Sequence, residues 1–548
     1  MSGSFGIMRL LTTFCLCLAI ASAYSQGNDF PFGKVTYREL DIKTYDKDSS
    51  ASAVILNEFG EAYFDEQRDF NLVFTYHATI KVLKQAGVAQ ADIEIPIYHS
   101  GSRKEELISV RASSFSLVNN TITESKLDLK SIYEEDINKY WSQKKFAVPN
   151  VSVGSIIEIQ YMLVSPFVFN FRNWPFQSAI PKVKSEFWAT IPGNYIYNTT
   201  LKGYFELSKN ENEIIRKCFY NGRADCARYK YAMENIPAFR EEDYMTAKSN
   251  FLATINYELA EIRHFDGRSE KFTKEWKDAE QELRTNEKFG LQLRRGKDIV
   301  DGHVELVLAG ETNELAKAVK IYEFVKSWYR WDEVYGMLSE FGIKQAFDSK
   351  TGNVGDINLT LIAALKYAGF NVNPVILSTR QNGLPIELHP VLSDFNYVIG
   401  RLELNDKIYL LDATDDFLPF GVLPHRCFNG KGRVISEKDS CWMDLKPIEK
   451  DRTFTSISLE LHNDGDLSGT IKKTYFGYAA IAKRKEMAGF EAKEDLIEML
   501  NGKVTDYQIV DLEITNRDDL SKEYIEVFSI KFEESSHGQA ILLNPLRL

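Results

Sequence analysis

The sequence predicts a multidomain α+β protein: a β-rich first half, a helix-then-sheet middle and a β-rich end. Three patterns carry that expectation. Between about residues 28 and 236, β-branched and aromatic residues fill runs bounded by turn signals, as in an antiparallel β-sandwich. Around Asn313 to Tyr329, and again from Ile357 to Ala368, apolar residues recur at helical spacing. Past Arg452 the strand pattern returns. The chain has 548 residues, enough for three or more units, and its 44% hydrophobic and 26% charged content is ordinary for globular proteins. Phe 35, Tyr 27 and Trp 7 suit a strand-rich architecture.

The first 23 residues read as a signal peptide and stay outside the fold argument. Arg9 gives a positive flank, Leu10 to Ile20 is the apolar run, and Ala21-Ser22-Ala23 offers a cleavage site; Met8 is a second candidate start. The apolar run is short for a membrane span, and no later stretch is longer. We therefore expect an exported protein, periplasmic or extracellular and not transmembrane after cleavage. Its net charge of -12 argues against nucleic acid as a partner.

In the first half, Asn71 to Leu83 and Gly154 to Val164 are the clearest strands. The aromatic series Phe167, Phe169, Phe171, Trp174, Phe176, Phe187 and Trp188 is read as strand packing rather than a ligand platform, because half-buried strands need such alternation. From Glu242 to Trp331 the pattern turns helical. Trp276 to Leu283 is amphipathic. In the helix after Asn313, Leu315, Val319, Ile321, Tyr322, Val325 and Trp328 share a face, capped by Thr312 or Asn313. The helix after Asp356 buries Ile357, Leu361, Leu365 and Ala368, with Gly369 suited to its left-handed end. Asn373 to Arg380 reads as a strand, and Val398 to Leu411 as a hairpin across Asn405-Asp406. After Arg452, strands at Ile457–Leu461, Gly469–Tyr475 and Tyr524–Phe532 flank helices near 476–490 and 493–500. Asn463-Asp464-Gly465-Asp466 resembles a calcium loop but lacks its glutamate, so it is read as a hairpin turn.

One segment ties these parts to a family. Gly352-Asn353-Val354-Gly355-Asp356 opens a helix; Phe395-Asn396-Tyr397-Val398 and Leu411-Asp412-Ala413-Thr414-Asp415 follow. Their order and spacing resemble the transglutaminase-like branch of the papain-type cysteine enzymes. Active members carry roughly G-x-C-x-D/E at the helix start, then a histidine and an aspartate on successive strands. The resemblance puts Val354 in the cysteine's place and Tyr397 in the histidine's, and leaves Asp412. The first half resembles the DUF3857 family of Bacteroidetes-type exported proteins, through Ile80-Lys81-Val82-Leu83-Lys84, Gly87, Pro149-Asn150-Val151, Gly154 to Glu158 and Trp174-Pro175-Phe176-Gln177. Together they imply a DUF3857-like sandwich (28–236), a papain-like transglutaminase core (242–447) and a C-terminal β-rich domain (452–548) that ends earlier than such domains usually do.

Valine offers neither nucleophile nor proton, and a phenol is a poor base at neutral pH. The expectation is a degenerate triad at Val354, Tyr397 and Asp412, with no catalytic residue active. Tyr329, Trp331, Tyr335, Asp356 and His389 are candidate cleft-lining residues. Asp356 either pairs with Asp412 for acid–base work or caps its helix, and His389 is the candidate for a relocated base. No CxxC, His-x3-His or phosphate-binding loop suggests a metal or cofactor. Outside the leader, Cys218, Cys226, Cys427 and Cys441 form an even set. In an exported chain the shortest loops give Cys218–Cys226 and Cys427–Cys441, with free buried thiols as the alternative. The function these readings favour is non-catalytic binding of a peptide or glycopeptide chain in the old cleft, or scaffolding of an envelope protein. The rival is an active amide hydrolase or acyltransferase with a relocated residue.

Overall fold

The computed structural model describes residues 30–532, apart from 139, 273, 274, 464, 465, 491 and 506. The expected signal segment, the last sixteen residues and the middle of the 463–466 turn thus lie wholly or partly outside the described residues. The chain divides into two compact units, one running to residue 273 and the other beginning at 274.

The first unit is built on an eight-stranded sheet in the order Lys209–Phe219, Ala224–Ile236, Lys182–Pro192, Ala53–Asp65, Asn71–Val82, Ile156–Ser165, Glu106–Val118, Thr121–Lys126. Every neighbouring pair is antiparallel except Ala53–Asp65 beside Lys182–Pro192, which is parallel. Two smaller sheets share its core: Ile95, Ile97 and Phe146 from one, Trp174, Ile255 and Tyr257 from the other, against Ala53, Phe64 and Phe187. Most of the aromatic series is packed as expected, with Trp174 stacked on Phe187 at 5.1 Å, whereas Phe169 is 48% exposed. Gly60 makes room for Trp174, since a Cβ there would meet the Trp174 ring at 2.2 Å.

This unit reaches further than residue 236. The sequence reading gave residues from 242 onward to the middle domain, but Thr254–Arg263 is a strand paired with Tyr195–Lys202. Its Ile255, Tyr257 and Leu259 are buried alternately, which is the period of a strand and not of a helix.

In the second unit, helices Trp276–Thr285, Gly290–Leu308, Glu314–Trp328, Ile343–Ser349 and Val354–Tyr367 accompany a five-stranded antiparallel sheet. Its order is Lys407–Leu411, Tyr397–Leu404, Asn371–Leu377, Lys431–Val434, Trp442–Asp444. The helix Val354–Tyr367 is central: every residue from Val354 to Leu365 is buried. Packing therefore encloses it on all sides, not along the single stripe its periodicity suggested. Asn353 and Asp356 form a capping box at its start, and Gly369 follows its end at φ +89°. The chain then forms a four-stranded antiparallel sheet, Arg452–Leu461, Leu467–Phe476, Tyr524–Lys531, Gln508–Thr515, with helices Tyr478–Ala488 and Lys493–Asn501. Leu461 and Leu467 pair at the end of the first two of these strands.

Candidate functional site

Val354 is the first residue of the central helix, Tyr397 opens its strand, and Asp412 directly follows the neighbouring strand Lys407–Leu411. All three are fully buried. The site forms where the helix start faces these strand ends, and Asn358, one turn after Val354, fastens the two together. Its amide donates to the Val398 carbonyl at 2.9 Å and to Asp412 Oδ1 at 3.0 Å, while its Oδ1 accepts from the Ala413 N–H at 2.9 Å.

Asp412 is saturated. Oδ1 also accepts from the Thr414 N–H at 3.0 Å and the Thr414 hydroxyl at 2.8 Å, and Oδ2 accepts from the Tyr397 hydroxyl at 2.7 Å. That hydroxyl in turn accepts from Arg426 Nε at 2.9 Å, and a second Arg426 nitrogen donates to Thr414 Oγ1 at 2.6 Å. Burial first, then the Asp412 charge, pushes the Tyr397 phenol well above its ordinary range, with Arg426 opposing. Tyr397 therefore stays protonated and acts as a donor to the carboxylate, the reverse of a base's task.

The strip Trp331–Tyr335 closes over the helix start. Trp331 and Gly352 are bridged in parallel, and the Val354 N–H donates to the Val334 carbonyl at 3.3 Å. Gly355 lets the segment after this strip approach the helix start, because a Cβ there would lie 2.4 Å from the Leu338 carbonyl oxygen. The Arg426 guanidinium lies 4.6 Å from the centre of the Trp331 ring, and the rings of Tyr335 and Tyr397 are 5.9 Å apart. Tyr335 is 47% exposed, so the outer face of the closed site is aromatic. From the other side, Tyr322 donates to the Asp412 carbonyl at 3.1 Å, and Lys485 pairs with Asp415.

Several expectations need correction. Tyr329 does not line a cleft: it is 6% exposed, with its hydroxyl 2.9 Å from Thr360 Oγ1, because its place at the end of the preceding helix faces the core. Asp356 is buried and lines no cleft, and of its two readings the helix cap holds, not the pairing with Asp412. Its carboxylate accepts from Ser339 and from the Asn353 N–H, so it caps the helix, and burial raises its pKa against those bonds. His389 sits half-buried in the loop before Tyr397, and the hydrogen bonds around Tyr397 and Asp412 come from Asn358, Thr414 and Arg426 instead. Cys218–Cys226 is a disulfide, whereas Cys427 and Cys441 are free. Cys427 turns into the core, its Sγ 3.9 Å from Asp412 Oδ2, while Cys441 stays exposed at the start of the edge strand, so no bridge joins them. Burial, then the Asp412 charge, pushes the Cys427 thiol well above its usual range.

The sequence reading missed Asn358, Thr414 and Arg426. Asn358 had a signal: it is a polar residue one turn past Val354 in an apolar helix. Arg426 had none, because its role depends on a loop returning to the site.

No protein-family model matches this sequence, and no curated protein matches it either. Among solved structures, it is similar to a protein proposed to be a protease from Parabacteroides distasonis ATCC 8503, at 11% identity and TM-score 0.46, over 88% of this chain and 94% of that one. A proposed cysteine protease from Cytophaga hutchinsonii is similar at 10% identity and TM-score 0.18, over 44% of this chain and 73% of that one. A TGase is similar at 10% identity and TM-score 0.18, over 43% of this chain and 51% of that one.

Chemically, the helix start where a nucleophile would gain most from the backbone N–H groups holds a valine. The thiol nearest the carboxylate is buried on the wrong side of it electrostatically, since the Asp412 charge opposes the thiolate.

Proposed function

We propose that the helix-and-sheet core of the second unit is a transglutaminase-like core that no longer performs cysteine chemistry and holds an extended peptide or glycopeptide chain at the cell envelope. The observation carrying this reading is the closed Tyr397–Asp412–Arg426 cluster. It occupies the place where a cysteine enzyme needs an ionisable histidine, and it is bonded to exhaustion. Cys427 gives the rival enzyme reading little support, being a buried, protonated thiol beside a carboxylate. The closed triad moves the binding surface outward from Val354 and Tyr397. A groove of about 410 Å³ lies in the same core, with Gly336, Met337 and Leu338 on one wall and Leu392, Ser393 and Phe395 on another. These walls continue along the chain from Tyr335 and into Tyr397. Apolar walls beside exposed aromatic rings suit an extended chain held without cleavage.

Among the described residues no helix is long and apolar enough to cross a membrane. The Cys218–Cys226 disulfide is compatible with export. The test is a binding screen of envelope peptides and muropeptides against the wild-type chain and Phe395→Ala. The proposal expects saturable binding of at least one member, weakened in the variant, with the ligand recovered intact. Cleaved ligand would return the enzyme reading, and absence of any binding would leave only scaffolding.

A further inference from the structure

The last sheet of the second unit carries an interaction surface that is independent of the reading of the core. Its two edges differ. Along one edge, Gln508–Thr515 is interrupted by a register shift between Ile509 and Asp511, and it carries the charges of Asp511 and Glu513, with Asp511 paired to Lys493. Bulges and charges of this kind keep an edge from pairing with another chain. At the other edge, Arg452–Leu461 runs in unbroken register with its neighbour, from Arg452 opposite Phe476 to Leu461 opposite Leu467. Its outer side pairs with no strand among the described residues. The run Thr453-Phe454-Thr455-Ser456-Ile457-Ser458-Leu459 holds no proline, glycine or charge. The strand is exposed along nearly its whole length, and Phe454 is 69% exposed. A β-prone, uncharged edge is a template for one more strand.

The strand fits its own copy. When antiparallel strands join edge to edge, a residue whose N–H and C=O point outward lies opposite another such residue, and outward residues alternate along the chain. In a self-pair, even-numbered residues therefore face even-numbered ones, and odd face odd. Among the registers this allows, the one centred on Ser456 sets Arg452 opposite Glu460 of the second copy at both ends and keeps every residue between them paired. Both residues are exposed. The Arg452 guanidinium lies over its own Phe476 ring, 5.3 Å from the centre, and no ion pair engages it or Glu460 among the described residues. Centred one residue later, on Ile457, the pair would set Phe454 against Glu460 and leave Arg452 beyond the overlap. Opposite charges across a ladder stabilise it, so charge selects the Ser456 register. On the inner face, Ile457 and Leu459 pack at the margin of a core that includes Ile471, Phe528 and Ile530. In the Ser456 register each Ile457 lies diagonal to Ile457 of the second copy, which extends that apolar margin across the junction.

We infer that two copies of this chain join through Arg452–Leu461, antiparallel about Ser456, so that one sheet runs through both. A single pair of strands buries a small area, so the association is reversible, with a dissociation constant on the order of micromolar.

The test is sedimentation equilibrium of the full chain and three variants at low salt. The wild type should pass from monomer to dimer as its concentration rises. Glu460→Arg and Arg452→Glu each set like charges opposite one another at both ends, and each should weaken the dimer roughly tenfold or more. The double variant, Arg452→Glu with Glu460→Arg, should restore it. Both side chains are exposed, so all three variants should keep the wild-type melting profile. A wild type that stays monomeric up to roughly 1 mM, as it would with this edge held by another segment, would overturn the inference. So would a dimer indifferent to the single changes, or one that the double variant fails to restore.

Discussion

At Tyr397 one hydroxyl holds two groups in place, donating to Asp412 Oδ2 and accepting from Arg426 Nε. Tyr397→Phe keeps the ring and strips buried charged groups of a partner, so it should cost about 1–3 kcal/mol by urea denaturation of the second unit. A change within experimental error would mean that the cluster is looser than described. The two free thiols should differ sharply. Cys441 is exposed and should alkylate readily with iodoacetamide in the native state. Cys427, buried and with its thiol pushed upward beside Asp412, should react only when the chain unfolds. Peptide mapping after native alkylation, with both residues labelled at similar rates, would contradict that burial. The family resemblance alone singled out Val354, Tyr397 and Asp412, of which Tyr397 and Asp412 share a hydrogen bond and Val354 starts the helix whose Asn358 bonds Asp412. It could not show the cluster closed, because closure comes from Arg426, Thr414 and the 331–335 strip, which meet only in three dimensions.

The central helix was legible as an element because its cap, apolar run and terminal glycine agree with one another. The helix Gly290–Leu308 lies inside the stretch read as helical but is not singled out there, because its buried positions mix Gln292 and Gly296 with Val300 and Val304 and so blur the apolar stripe. Gly296 lets that helix approach closely, since a Cβ there would meet Ala363 Cβ at 2.4 Å. The strand Thr254–Arg263 was legible in its alternation but hidden beneath a run taken as helical. Gly355 separates propensity from packing at this scale. Alanine is the better helix former by about 1 kcal/mol, yet its Cβ would collide with the Leu338 carbonyl. Gly355→Ala should therefore lose stability, by about 1–3 kcal/mol. A stabilised variant in thermal denaturation would show that Leu338 and Ser339 do not press on the helix start.

Over the whole molecule, the two units offer separate handles. In the first, Lys81 is fully buried and donates to the Leu40 and Gly154 carbonyls at 2.6 Å each. Burial lowers its pKa from 10.5 to about 8. Between those values the unfolded chain keeps a proton that the folded chain has released, so this residue makes stability rise with pH through that window. Lys81→Met should lessen that rise; equal slopes for both proteins, from denaturation at several pH values, would remove Lys81 as its source. For the second unit, the central claim is that cysteine chemistry is absent because Val354 and Tyr397 replace the reacting groups. The most direct measurement compares wild type with the double variant V354C/Y397H, scoring labelling by a peptide electrophile at neutral pH and turnover of peptide amides. The account predicts an inert wild type and a variant labelled at position 354, where the helix start and an Asp412-oriented imidazole favour the thiolate. Wild-type turnover accompanied by labelling of Cys427 would contradict it.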